Sequence, residues 1–171
     1  MLWIFIVAAI LFRLATLAIS VRNERRLKAE GATEFGHTNS VVLALAHTAF
    51  YLAAAAEAAF RGMPPFDAVT WIGLVLYFFG AAMLVAVIRI LGRLWTVKLL
   101  IASNHVLVEH PLFRRFRHPN YFLNILPELI GFGLALHSWY TLAIGLPLYV
   151  IPLAIRIRQE EKVMRSRFKG Y

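Results

Sequence analysis

The chain contains no cysteine. Disulfides, thiolate-bound zinc and a cysteine nucleophile are therefore all excluded, and cysteine usage says nothing about the redox compartment. Charge is also scarce. Only 16% of the 171 residues are Asp, Glu, Lys or Arg, nine of them acidic, against 60% hydrophobic residues and a mean hydropathy of +0.68. That composition is too apolar for an ordinary soluble domain, so the chain reads as a membrane protein whose chemistry rests on His, Arg, Glu, Asn and Tyr. The net charge of +9 would point to nucleic acid in a soluble protein. Here cationic loops on one side of a bilayer explain it, and no nucleic-acid partner is expected. No metal is expected either, and no repeat, low-complexity tract or linker divides the chain, which is read as one domain over residues 1–171.

A helix needs about 20 mostly apolar residues to cross the hydrocarbon core. Five stretches qualify: Leu2 to Val21, Ser40 to Phe60, Val69 to Leu91, Pro119 to Leu136 and Tyr140 to Ile157. The expected fold is thus an all-α integral membrane protein of about five transmembrane helices, the last two a hairpin turning at "HSWY". The first run is expected to be a retained span, since "VRNERRLKAEG" after it offers no small-residue cleavage site. Basic residues gather in "RNERRLK", in "RILGRLWTVK" to "RRFRH", and in "RIRQEEKVMRSRFKGY". By the positive-inside rule the N-terminus lies outside and the C-terminus in the cytoplasm. Between the third and fourth spans, "WTVKLLIASNHVLVEHPLF" holds two β-prone runs around "ASN", which predicts a short hairpin or an interfacial segment. Trp3, Trp71 and Trp139 sit near span ends as interfacial anchors.

Three constellations carry candidate chemistry. At Pro119 a helix opens with Arg114, Arg115 and Arg117 before it. Its unpaired N–H groups and positive dipole end favour an anion, while basic residues before a cytoplasmic helix are also ordinary topology. In "RIRQEEKV", Arg156 and Glu160 are spaced i, i+4 and share a helix face, so they can pair or jointly frame a ligand; Glu161 points about 100° away. Within the bilayer, Arg13, His47 and Glu128 lie at matching depths, roughly 12, 10 and 13 Å from the cytoplasmic ends of their spans. Ionisable groups so deep pair with one another or line a cavity. Two alternatives stand: a polar pocket for the head of a lipophilic substrate, or an Arg13 to Glu128 structural bridge. Glu57 is expected to pair with Arg61 near the outer surface.

The string "RHPNY" opening one span, followed after a helical hairpin by "RIRQEE", resembles the isoprenylcysteine carboxyl methyltransferase family of integral membrane, S-adenosylmethionine-dependent enzymes. The resemblance covers about the last third of the chain, His105 to Tyr171. The longer strings "RLWTVK", "RHPNYFLNILPEL" and "GATEFG" are similar to a bacterial branch that O-methylates alkylpyrones and related polyketide lipids. The pattern departs at "EHPLF", where many members have a Gly-Pro-Tyr-like turn, and at "FLN", where a glycine is common.

The resemblance implies an S-adenosylmethionine site formed over residues 92–171 and facing the cytoplasm of a bacterial inner membrane. It implies cofactor roles for His105, Arg117, His118, Pro119, Tyr121, Glu160 and Glu161, catalytic roles for Arg156 and Glu160, and substrate contacts from Arg156. Asn124, Glu128, His47 and Arg13 are expected on the substrate side. The implied partner is a lipophilic small-molecule acceptor carrying a carboxyl or acidic hydroxyl, such as an alkylpyrone or an isoprenylated compound. Rival readings are a phospholipid N-methyltransferase, an NADPH-dependent sterol or enone reductase, and a small scaffold or transporter.

Overall fold

The computed structural model describes residues 2–101, 110–116 and 118–167. It contains six α-helices and two short strands: α1 (Leu2–Ala29), β1 (Thr33–Phe35), α2 (His37–Arg61), α3 (Ala68–Leu91), β2 (Leu99–Ile101), α4 (Pro111–Arg115), α5 (Leu126–Ala135) and α6 (Leu146–Arg167). The protein is an all-α integral membrane protein. Four helices are long and apolar enough to cross a bilayer: Leu2–Ala29, His37–Arg61, Ala68–Leu94 and Thr141–Ser166. The predicted fourth span, Pro119 to Leu136, is also helical. It consists of a six-residue π turn, Asn120–Ile125, and the ten residues of α5, a run of roughly 24 Å against a hydrocarbon core of about 30 Å. Most of α5 is buried against its neighbours.

Each π turn has a proline as its cause. A helical proline lacks an N–H and its ring clashes with the carbonyl four residues back. The residue before Pro127, Leu126, instead donates five residues back to the Tyr121 carbonyl, and Leu146, before Pro147, does the same to Thr141. The wider turn moves the carbonyl out of the ring's way.

Glycines let α3 and α5 meet at backbone distance. A Cβ at Gly131 would lie 2.3 Å from the Tyr77 nitrogen, one at Gly73 2.2 Å from the Ala135 nitrogen, and one at Gly80 2.8 Å from the Asn124 carbonyl oxygen. Close approach through small residues is how helices associate where lipid removes the hydrophobic drive between them. Around this contact Phe5 meets Tyr77 edge-on at 4.9 Å, and Tyr51 stacks on Phe132 at 4.2 Å. Leu129 and Phe132 are wholly buried, whereas Trp3, Leu11, Leu14, Leu52, Trp71 and Val75 lie exposed on the outer faces of their helices.

Glu57 does pair with Arg61, at 3.3 Å. Its carboxylate also accepts from the Tyr140 and Thr141 amides at 3.0 and 2.8 Å, capping the helix that follows the hairpin turn. At the other end of the bundle, Gly31 (φ 84°) stops α1 and Gly36 (φ 61°) turns β1 into α2. Within residues 95–113, where a short hairpin or an interfacial segment is expected, the first β-prone run is described. It forms β2, and its antiparallel partner is β1, in the register Thr33 to Ile101, Glu34 to Leu100 and Phe35 to Leu99. The second run lies outside the described residues.

The strands are held down by ions. Lys28 contacts Glu24 at 2.7 Å and Glu34 at 2.6 Å; Lys98 contacts the same two acids at 2.7 and 3.7 Å; and His37 contacts Glu34 at 2.6 Å. This network fastens the end of α1 to β1, the start of α2 and the segment entering β2. Burial alone would raise the Glu34 carboxyl. Hydrogen bonds from Lys28 and His37 and the charge of Lys98 outweigh it and hold the group down to about 2.

Candidate functional site

The helix opening at Pro119 meets α6 at the strand-covered end of the bundle. His118 and Pro119 begin the turn, and the His118 carbonyl accepts from the Tyr121 and Phe122 amides at 3.1 and 3.2 Å. With no N–H on Pro119, most of the expected free donors of this helix mouth are therefore absent or already bonded. The mouth also faces carboxylates of its own chain. His118 Nδ1 lies 3.6 Å from Glu160, and its Nε2 lies 3.3 Å from Glu161. The i, i+1 pair of acids thus reaches one imidazole from two sides, which the 100° angle between them does not suggest. Burial pulls the His118 pKa down, but the hydrogen bond and charge of Glu160, reinforced by Glu161, leave it above the ordinary histidine value.

Tyr121 joins the two halves of the site. Its hydroxyl donates to Glu160 Oε2 at 2.5 Å and accepts from Arg156 Nε at 3.3 Å. Arg156 and Glu160 share a face, as their spacing predicts, but the tyrosine stands between them. The remaining donors of Arg156 reach Ser40 Oγ at 2.7 Å and the Val97 carbonyl at 3.0 Å. Arg156 is only 3% exposed, yet all three partners are neutral oxygens, and among the described residues it forms no ion pair. Its nearest described counter-charge, Glu160, acts on it electrostatically across the Tyr121 hydroxyl and does not touch it.

Ser40 and Val97 were absent from the sequence expectations. Nothing in a single sequence marks them, because one contributes a hydroxyl near a helix start and the other only a backbone carbonyl. Gln159, on the same helix as Arg156, is another such residue. Its Oε1 is buried without a partner and lies against Gly36, where an added Cβ would come within 2.3 Å. Trp95 is buried with Leu84 and Val87, its indole nitrogen also unpartnered. His105 and Arg117 lie outside the described residues.

The deeper polar layer is assembled, and its members touch. Arg13 makes a two-pronged pair with Glu128, through Nε and Nη2 to the two carboxylate oxygens, and Tyr51 donates to the same carboxylate. Glu128 has no exposed surface. His47 lies 4.0 Å from Glu128, stacks on Tyr51 with ring centroids 5.2 Å apart, and approaches the Tyr149 hydroxyl at 3.4 Å. Asn124, 1% exposed, can turn its amide so that the nitrogen reaches Glu128 Oε2 at 3.0 Å and the Gly80 carbonyl at 3.2 Å. Of the two alternatives for this layer, the Arg13 to Glu128 bridge is present. The Nε2 of His47 and the Tyr77 hydroxyl remain buried and unpartnered beside it.

Two polar layers, one at the end of the bundle and one within it, share the helical residues 120–135. The model of the isoprenylcysteine carboxyl methyltransferase (ICMT) family matches residues 71–166. The chain belongs to that family, and membership implies a membrane methyltransferase. It is 46% identical over 156 residues to an uncharacterized protein of Haemophilus influenzae, covering 91% of this chain and 90% of the relative. It is also 28% identical over 171 residues to the uncharacterized protein YpbQ of Bacillus subtilis, covering 97% and 98%. No solved structure matches the chain.

Proposed function

We propose that the chain is an S-adenosylmethionine-dependent O-methyltransferase acting on the carboxyl or acidic hydroxyl of a lipophilic acceptor, such as an alkylpyrone or an isoprenylated compound. The observation that carries this reading is Arg156, a buried guanidinium whose direct contacts are three neutral oxygens and which makes no direct ion pair among the described residues. The surroundings of His118 suit the cofactor. Its zwitterionic amino-acid end needs both signs of charge within a few ångströms, and here two carboxylates adjoin a buried imidazole.

When bound, the cofactor supplies a methyl group on a sulfonium, open to in-line displacement by an oxygen. The protein's contribution is chiefly positional, since holding two reactants aligned is worth several kcal/mol of barrier. Glu160 and Glu161 would receive the ammonium, with His118 and Pro119 forming the floor beside them. Tyr121, bonded to both Glu160 and Arg156, fixes the distance between the cofactor and acceptor subsites. Arg156 would hold the acceptor as its anion and lower its pKa, so that no general base is required. Asn124, Glu128, His47 and Arg13 would lie along the path of the acceptor's body from the bilayer. The reading places the site on the cytoplasmic side of a bacterial inner membrane, and the basic loops support that orientation.

The test is calorimetric binding of S-adenosylmethionine, and separately of NADPH, to the detergent-purified protein and to its Glu160→Ala and His118→Ala variants. Binding of the former that weakens at least tenfold in both variants is expected. Binding of NADPH alone would replace the methyltransferase with a reductase.

A further inference from the structure

Six cations of this chain, Arg13, Arg61, Arg93, Lys28, Lys98 and Arg165, each contact a carboxylate. Arg22, Arg25 and Arg26 are exposed and, among the described residues, have no such contact. They lie within five residues of one another where the apolar part of α1 ends. The opposite face of this stretch is committed to the protein. Asn23 donates to the Gly92 and Trp95 carbonyls at 3.1 and 2.9 Å, and Leu27 is buried. Glu24, the nearest acid in sequence, turns to Lys28 and Lys98 and away from the arginines.

Leading up to the three arginines is an open, shallow face of α1 formed by Leu14, Leu17, Ala18 and Val21 and continued by Arg22, Arg25 and Arg26. The apolar members follow one another at i, i+3, i+4 and i+7, and Arg25 continues the line at i+11, so they share one helix face. From Leu14 to Arg22 the helix rises about 12 Å, placing the apolar lining within the hydrocarbon and the guanidinium groups at headgroup depth. Nothing of the described chain covers this face, and the leucines are about half exposed. In a membrane, acyl chains cover it.

We propose that this face of α1 is a binding site for an anionic glycerophospholipid, its phosphodiester on Arg22, Arg25 and Arg26 and one acyl chain along Leu14, Leu17 and Val21. Charge and polarity together select this occupant. A guanidinium offers a planar, two-pronged match to phosphate oxygens, and the adjoining lining matches a hydrocarbon chain. A zwitterionic lipid brings the same chain but no net charge to neutralise the cluster. The site is separate from the methyl-transfer reading and does not depend on it.

The full-length protein in detergent is titrated with phosphatidylglycerol and with phosphatidylcholine of identical chains, and bound lipid is counted by native mass spectrometry. Each basic side chain near an anionic surface contributes about fivefold, so phosphatidylglycerol is expected to bind at least about tenfold more tightly. The Arg22→Gln/Arg25→Gln/Arg26→Gln variant should lose that preference. A charge-matched Arg89→Gln/Arg158→Gln/Lys162→Gln variant, which removes three exposed cations elsewhere, should keep it. Equal binding of the two lipids by the unaltered protein would overturn the proposal. So would equal loss in both variants, which would mean attraction to net charge and no site.

Discussion

Replacing Glu128 by Gln tests what the buried layer is for. The carboxylate is fully enclosed and takes both prongs of Arg13, whose side chain is 21% exposed, together with the Tyr51 hydroxyl. An amide in its place leaves the guanidinium in the bundle without a counter-charge. Breaking a buried pair by removing one partner costs about 3–5 kcal/mol. For a chain of this length each kcal/mol is worth roughly 2–4 °C in melting temperature, so a fall of about 6–20 °C is expected. The triple variant Arg13→Met/Tyr51→Phe/Glu128→Leu removes every member of the pair and keeps the stacking of ring 51 on Phe132. Replacing a buried pair by apolar groups of similar volume is often neutral, so its melting temperature should return to within about 3 °C of the parent, a difference of about 1 kcal/mol. Thermal melts followed by tryptophan fluorescence in detergent make the comparison. A triple variant as unstable as Glu128→Gln would refute the reasoning, because the loss could not then be an unpaired charge. The stable triple variant also separates the two roles of the layer. As a structural bridge its loss leaves the acceptor KM unchanged; as the receiving pocket for the acceptor its loss raises that KM while cofactor affinity stays the same.

Three further expectations concern the strand-covered end. Glu34, held down to about 2 from an ordinary value of about 4.3, contributes stability that is present above the ordinary value and lost as pH falls toward the lowered one. Melting temperature should therefore drop between pH 5 and pH 3, and the drop should be shallower in Glu34→Gln. For His118 the sign is reversed. Its raised pKa gives stability that is full below the ordinary histidine value of about 6.5 and lost as pH rises through the raised one; melts of His118→Gln should lose that alkaline decline. Gly36→Ala places a side chain at φ 61° and 2.3 Å from Gln159 Oε1, which the left-handed backbone alone makes about 1–2 kcal/mol unfavourable. A fall of several degrees is expected, with cofactor affinity reduced if Gln159 borders the site, as calorimetry on the variant will report.

Much of this was legible in sequence because membranes impose coarse rules. Twenty-residue apolar runs and basic loops located the long helices, and the depths of Arg13, His47 and Glu128 along their spans placed them in one layer, leaving open whether they pair or line a cavity. The i, i+4 spacing of Arg156 and Glu160 placed both on one face, but not the Tyr121 hydroxyl between them, since a bridge across 35 positions leaves no local periodicity. The pairing of Thr33–Phe35 with Leu99–Ile101 was hidden for the same reason: strand propensity identifies a strand, not its partner. Ser40 and the Val97 carbonyl were invisible because a hydroxyl and a backbone oxygen become ligands only through the fold.

The buried length of helix from Tyr121 to Glu128 explains why the two polar layers belong to one device. Tyr121, Asn124 and Glu128 are 6%, 1% and 0% exposed, and they stand at i, i+3 and i+7, a single inward face. Pro127 forces the π turn beneath them, with the Leu126 amide reaching the Tyr121 carbonyl. π turns recur where a helix must aim side chains that a regular spiral would misdirect. Gly80 lets α3 come within backbone distance of Asn124 and Glu128, so the face is clamped as well as aimed. A helix fixed at Glu160 through Tyr121 and at Arg13 through Glu128 sets the distance between the two polar layers. In the proposed reaction that distance, more than any one residue, would set how deep in the bilayer an acceptor's body lies when its oxygen meets Arg156.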